Sequence, residues 1–136
     1  MIVTLDTIDD IVFDLHPGDR VFLRGKLGVG KTTFARKLIQ KYLWNTDTSI
    51  TSPTYTYYQK YGTGLYHFDL YRAQDFTDIV RVGAQDIFDD PDSICIIEWP
   101  DIIENNVSPT YIIDIISTEL WREFSIVNCQ VPKIDN

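Results

Sequence analysis

The chain of 136 residues carries 20 acidic against 12 basic side chains, a net charge of −8; phosphate contacts need clustered Lys and Arg, so this balance argues against a protein that grips nucleic acid unaided. An apolar fraction of 44% and a charged fraction of 24% suit an ordinary globular domain, expected to run as one unit over residues 1–136, and nothing approaches the ~20 apolar residues of a membrane span. The acidic N-terminus is no signal peptide, and two cysteines without metal or redox spacing, Cys95 and Cys129, fit a reducing, cytoplasmic setting with no membrane.

The opening "DTIDDIVFDL" mixes acidic and apolar residues in an order that permits a short helix. Pro17-Gly18-Asp19 reads as a turn and Val21-Phe22-Leu23 as a buried strand. A glycine-rich loop follows, and Phe34, Leu38 and Leu43 then mark the apolar side of a helix over residues 31–43. The polar loop "NTDTSITSPT" includes a possible short strand at residues 49–51. Two aromatic-rich runs flank Gly62-Thr63-Gly64, the pattern of a hairpin. "DFTDIVRVGAQDIF" has helical spacing interrupted at Gly83, and "SICIIEW" is the near-continuous apolar run of a central parallel strand, with Cys95 as a small buried side chain. "TYIIDIIS" and "EFSIVNC" read as two closing strands, and residues 130–136 as a loose tail. Strand–helix alternation followed by strands predicts an α/β sheet with an antiparallel portion.

Gly25-Lys26-Leu27-Gly28-Val29-Gly30-Lys31-Thr32 matches G-x-x-x-x-G-K-[ST] in full. Glycines let successive backbone N–H groups turn into one concavity, an anion nest. The following helix adds unpaired N–H groups and its positive dipole end. Within the stretch, Gly25, Leu27, Gly28, Val29, Gly30, Lys31, Thr32 and Thr33 are the expected nucleotide-binding residues. The Lys31 ammonium reaches the β- and γ-phosphates, the Thr32 hydroxyl ligates Mg²⁺, and Thr33 helps hold the α-phosphate. The motif reads phosphates and leaves the base open.

A P-loop enzyme usually adds an acid at the end of a neighbouring buried strand. Glu98 fits that place after the run Ile94 to Ile97, as a metal-side carboxylate or as the first exposed residue beyond the strand. Trp99 is either a stacking residue or part of the core or rim. Ser52, Thr54 and Tyr55 surround a proline in "TSPTYTY", as a switch-like approach to the γ-phosphate or as an ordinary turn. His67 and Asp69 share a strand face, which would allow a water- or metal-positioning pair, or a sheet-edge hydrogen bond. Arg72 would touch nucleotide charge or pair with an acid.

Together "GKLGVGKTT", "SPTYTYYQKY", "YHFDLYR" and "IIEWPD" resemble the TsaE (YjeE) family, the small bacterial ATPase of tRNA threonylcarbamoyladenosine synthesis, over about Gly18 to Asp101. The resemblance implies a P-loop NTPase three-layer α/β/α sandwich with a mixed, partly antiparallel sheet. It implies ATP as nucleotide, with Lys31 and Thr32 on phosphate and Mg²⁺ and Glu98 as the metal-side acid. Ser52 to Tyr55 would form a switch-like loop, Asp69 would belong to an essential second acidic motif, and Trp99 would lie near the nucleotide. The implied partner is the TsaB–TsaD complex, with tRNA met only through it. Lys26 departs from the acid usual after the first glycine, "AQDFTDIVRV" is poorer in Glu and Leu than usual, and the N-terminal helical region is shorter.

The function implied is ATP hydrolysis, with Lys31, Asp69 and Glu98 as catalytic residues. No arginine finger is evident in the sequence, so hydrolysis is expected to be slow alone and faster with the partner. The alternatives are a small-molecule, nucleoside-type kinase, for whose acceptor pocket and lid little chain remains, and a nucleotide-gated binding module without useful hydrolysis.

Overall fold

The computed structural model describes residues 2–3, 5–26, 28–44, 50, 56–117 and 121–130. Seven strands form one sheet: β1 Ile2–Val3, β2 Arg20–Arg24, β3 Tyr58–Tyr61, β4 Leu65–Asp69, β5 Ile94–Glu98, β6 Tyr111–Ser117 and β7 Arg122–Asn128. Among the described residues three α-helices accompany them, α1 Lys31–Leu43, α2 Phe76–Val80 and α3 Ala84–Asp89, with 3-10 turns at Leu5–Asp10 and Pro100–Ile103. Across the sheet the order is β1-β7-β6-β2-β5-β4-β3. The inner strands β6, β2, β5 and β4 are parallel, and the flanking pairs are antiparallel. This is the mixed α/β sheet that the apolar runs imply.

Strand alternation sorts the core into two layers. Val21, Leu23, Ile94, Ile96 and Leu65 face α1 through Phe34, Ala35, Leu38 and Ile39. The intervening Phe22, Cys95, Ile97 and Phe68 face Ile79, Ala84, Ile87 and Ile103 on the other side. Helices thus cover both faces of the parallel strands, which is why those strands are apolar on both sides. Cys95 is buried, and its surroundings push the thiol up to about 11.

Local chemistry explains the element boundaries. α1 covers the predicted 31–43 and ends at Trp44, whose φ of 54° gives a left-handed cap. The interrupted helix divides at Gly83, which takes φ +88° to start α3. Asp75 and Asp78 form a reciprocal capping box at the start of α2. The opening segment and one added strand complete the comparison. The short helix allowed at the opening is a 3-10 helix, Leu5–Asp10. β1 is an additional strand whose two-residue pairing with β7 carries no sequence signal of its own. The proposed strand at residues 49–51 lies outside the described residues except for Ile50, which is buried.

At the end of the sheet opposite the glycine loop, Arg20 is 7% exposed and donates to the carbonyls of Asp19 (3.1 Å), Asp90 (2.8 Å), Phe88 (3.3 Å) and Ser93, and to Ser93 Oγ (2.9 Å). The guanidinium satisfies the open carbonyls at the C-terminal end of α3 and joins that helix to β2. Replacing Arg20 by Leu strands several buried acceptors. The expected loss is about 2–4 kcal/mol of unfolding free energy, read as a lower urea midpoint at unchanged slope.

Candidate functional site

The parallel strands end together, and their last residues converge. In register, Leu23 of β2 lies beside Glu98 of β5, and Asp69 of β4 lies on Glu98's other side. The chain leaves β2 through Gly25 and returns as α1, so the glycine loop sits above the same edge, where open α/β sheets bind ligands. A cleft of about 440 Å³ there is lined by Gly28, Gly30, Lys31, Thr32, Asp69 and Glu98, together with Thr33, Tyr71, Trp99 and Arg122.

Gly25 is required by its surroundings. A Cβ there would lie 2.7 Å from both the Ile115 carbonyl oxygen and Val29 Cγ2, and φ is +151°. Gly30 takes φ +106° at the helix N-cap, turning the chain into α1. Lys31 is 4% exposed, and its ammonium donates to the carbonyls of Gly25 (2.6 Å) and Lys26 (2.8 Å). Burial lowers its pKa, against the opposing pull of Glu98 and then Asp69. The ammonium also lies 4.1 Å from the centre of the Trp99 ring, which in turn packs on Tyr71 at 4.9 Å. Trp99 holds φ 57°, an unusual backbone for a tryptophan, directly after the strand.

Glu98 is the last residue of β5 and is 2% exposed, so it is not the first exposed residue after the strand. Thr32 Oγ1 donates to its carboxylate at 3.0 and 3.2 Å, and His67 Nε2 lies 2.5 Å from Oε2. With Glu98 ionised, that contact puts the ring proton on Nε2, because a carboxylate only accepts. His67 Nδ1 is buried with no hydrogen-bond partner among the described residues. The sequence allowed a His67–Asp69 pair; the partner is Glu98 instead, one strand over, and β4 is an inner strand and not a sheet edge. Asp69 Oδ1 accepts from the Tyr71 N–H at 3.0 Å.

The cleft therefore unites Gly28, Gly30, Lys31, Thr32, Thr33, Asp69, Glu98 and Trp99. Gly25 and Val29 belong to the loop beside it, with Val29 buried. Leu27, Ser52, Thr54 and Tyr55 lie outside the described residues. Arg72 is exposed and does not line the cleft. Arg122, Tyr71 and the His67–Glu98 contact escaped sequence reasoning: Arg122 is distant in sequence and its strand carries no motif. For Mg²⁺, the Thr32 hydroxyl and Glu98 carboxylate are adjacent oxygen donors of the hard type this cation takes. No cluster of three or more His, Cys, Asp or Glu side chains suited to a metal occurs among the described residues. Mg²⁺ commonly uses one or two protein oxygens and substrate phosphates for the rest, so the residues fit.

The strand, glycine loop and helix, with a buried acid on the adjacent parallel strand, define a P-loop NTPase fold. The family model described as "Threonylcarbamoyl adenosine biosynthesis protein TsaE" matches residues 4–124, and the chain belongs to this TsaE family. Among curated relatives, the tRNA threonylcarbamoyladenosine biosynthesis protein TsaE of Rickettsia conorii is 39% identical over 101 residues, 72% of this chain and 56% of that protein. The Haemophilus influenzae protein of the same name is 43% identical over 95 residues, 66% of this chain and 58% of its own length. The chain thus spans little more than half the length of these relatives. The crystal structure of Bacillus subtilis YdiB superimposes with a TM-score of 0.65 at 27% identity, covering 94% of this chain and 87% of that one. None of the described helices is long and apolar enough to cross a membrane.

The glycines separate by what a side chain would meet. Gly25→Ala collides with backbone and should lower unfolding free energy by about 2–3 kcal/mol. Gly28→Ala, with nothing within 4 Å of the added carbon but φ +80°, should cost about 1 kcal/mol. Paired urea titrations check the order.

Proposed function

We propose that this chain, acting as a single domain, binds ATP with Mg²⁺ in the cleft and hydrolyses it. In this reading it serves tRNA N6-threonylcarbamoyladenosine biosynthesis together with a TsaB–TsaD complex that holds the tRNA. The observation that carries the nucleotide reading is the 3.0 Å contact of Thr32 with Glu98, in the cleft that Lys31 also lines. It joins the loop suited to phosphate to the acid suited to a metal. Family membership supports the pathway.

The roles follow from the chemistry of each group. Amides of Gly25, Leu27, Gly28, Val29 and Gly30 and those entering α1 supply N–H donors to the phosphates. Lys31 exchanges the carbonyls of Gly25 and Lys26 for phosphate oxygens, which also relieves its unfavourable burial. Thr32 and Glu98 would hold Mg²⁺, which would supply charge neutralisation to the phosphates. Thr33 takes the α-phosphate, Trp99 flanks the Lys31 ammonium, and Ser52 and Thr54 belong to a switch-like loop near the γ-phosphate. Asp69 orients or deprotonates the attacking water, close to Glu98 and fixed by the Tyr71 amide. His67 holds the Glu98 carboxylate in place from below.

Wild-type protein should give binding heat with Mg-ATP. Glu98→Gln and Asp69→Asn should retain ATP binding within about tenfold while losing at least roughly a hundredfold in phosphate release. Retained hydrolysis in both variants would remove the carboxylates from the chemistry. Transfer of labelled phosphate to a nucleoside would replace hydrolysis by kinase activity.

Steady-state phosphate release should be slow for the chain alone and rise on addition of TsaB–TsaD, because the partner completes the charge around the transferring phosphoryl group. Equal rates with and without the complex refute the activation.

A further inference from the structure

The cleft has a second flank that the motifs do not describe. Arg122 begins β7 and lines the cleft alongside Gly28, Lys31 and Thr33. Its guanidinium is packed over the P-loop: Cζ and Nε lie 3.6 Å from the position a Cβ on Gly30 would occupy. The side chain is half-buried, yet among the described residues no carboxylate pairs with it and no acceptor is bonded to it. Other basic groups of this region are committed. Arg24 makes a two-point contact with Asp114, Nε to Oδ1 at 2.7 Å and Nη2 to Oδ2 at 2.9 Å, and Lys31 is held by loop carbonyls. In a chain with 20 acidic residues, a cleft-lining guanidinium to which no described carboxylate is bonded is placed for an anion supplied from outside.

The sheet order says which part of that anion. Glu98 and Asp69 end β5 and β4 on one side of β2, while β7 lies beyond β6 on the other. In the ATP-binding reading the terminal phosphates lie on the side of Thr32 and Glu98, the residues that would hold Mg²⁺. The remainder of a nucleotide then extends across the loop toward β6 and β7. A planar guanidinium suits that position twice over, donating to the α-phosphate and stacking on the face of a base.

We propose that Arg122 is a nucleotide-binding residue that engages the nucleoside end, the α-phosphate and the base, from the flank opposite the catalytic acids. The assignment rests on the ATP-binding reading above and extends it to a residue outside every motif of the chain.

Calorimetric titration of the full chain with Mg-ATP and with ADP separates the possibilities. Because no described hydrogen bond or ion pair holds the Arg122 side chain, Arg122→Ala and Arg122→Gln should melt like the wild type. Each should weaken ATP and ADP alike by about tenfold, the scale of a lost charge-assisted contact. Arg122→Lys should recover part of the loss, having charge without the plane. A loss for ADP at least as large as for ATP supports the proposal. Unchanged affinities in both Ala and Gln variants overturn it, as does a loss confined to ATP, which would move the guanidinium to the terminal phosphate. If the wild type itself bound neither nucleotide, the ATP-binding reading would fall, and this assignment with it.

Discussion

A buried carboxylate organises this molecule. Glu98 sits at the end of the central strand β5, 2% exposed, where the chain shields its carboxylate from most of the solvent. An ionised acid there is tolerable only if donors surround it. Thr32 from the loop and His67 from the neighbouring strand provide them. Those contacts tie the start of α1, β4 and β5 to one point. The arrangement makes the site and the fold parts of the same structure: the strand register that buries Ile96 also delivers His67 to Glu98.

The groups suited to a nucleotide satisfy one another within the chain. The Lys31 ammonium rests on carbonyls of its own loop, and the Thr32 hydroxyl rests on Glu98. In the proposed function each contact is a stand-in for one that a phosphate or a cation would supply better, because charge-assisted bonds exceed those to neutral carbonyls. Filling the cleft is therefore an exchange of partners and exposes no charge. The lowered pKa of Lys31 has the same origin: an ammonium shielded from water with too little negative charge around it gains most when phosphate arrives.

The two ends of the parallel sheet are used differently. At one end Arg20 and Ser93 saturate the carbonyls that terminate α3, closing the structure with a buried polar network. At the other end the strands stop at glycines, acids and aromatic rings, leaving a cleft. Arg20 and Arg122 illustrate the contrast. Both are arginines at the first position of a strand, yet one is enclosed by acceptors and the other faces the cleft.

Motif and periodicity made much of this legible in advance. The glycine loop could be read because its function constrains backbone angles that only glycine takes freely, as the crowding at Gly25 illustrates. α1, the hairpin around Gly62 to Gly64, the apolar strand β5 and the closing strands followed from spacing, and the family from four short stretches in order. Tertiary structure alone decided what joins across strands. Sequence put His67 and Asp69 on one face but could not say that the histidine would reach sideways to Glu98, because register between strands far apart in the chain depends on the packed sheet. It left Glu98 open between surface and interior, which only the layers above and below β5 decide. It gave no sign of Arg122, whose position over Gly30 exists only once β7 has paired with β6 beside the loop. Local backbone demands are written in residue type; contacts between distant segments arise from the global packing that brings them together.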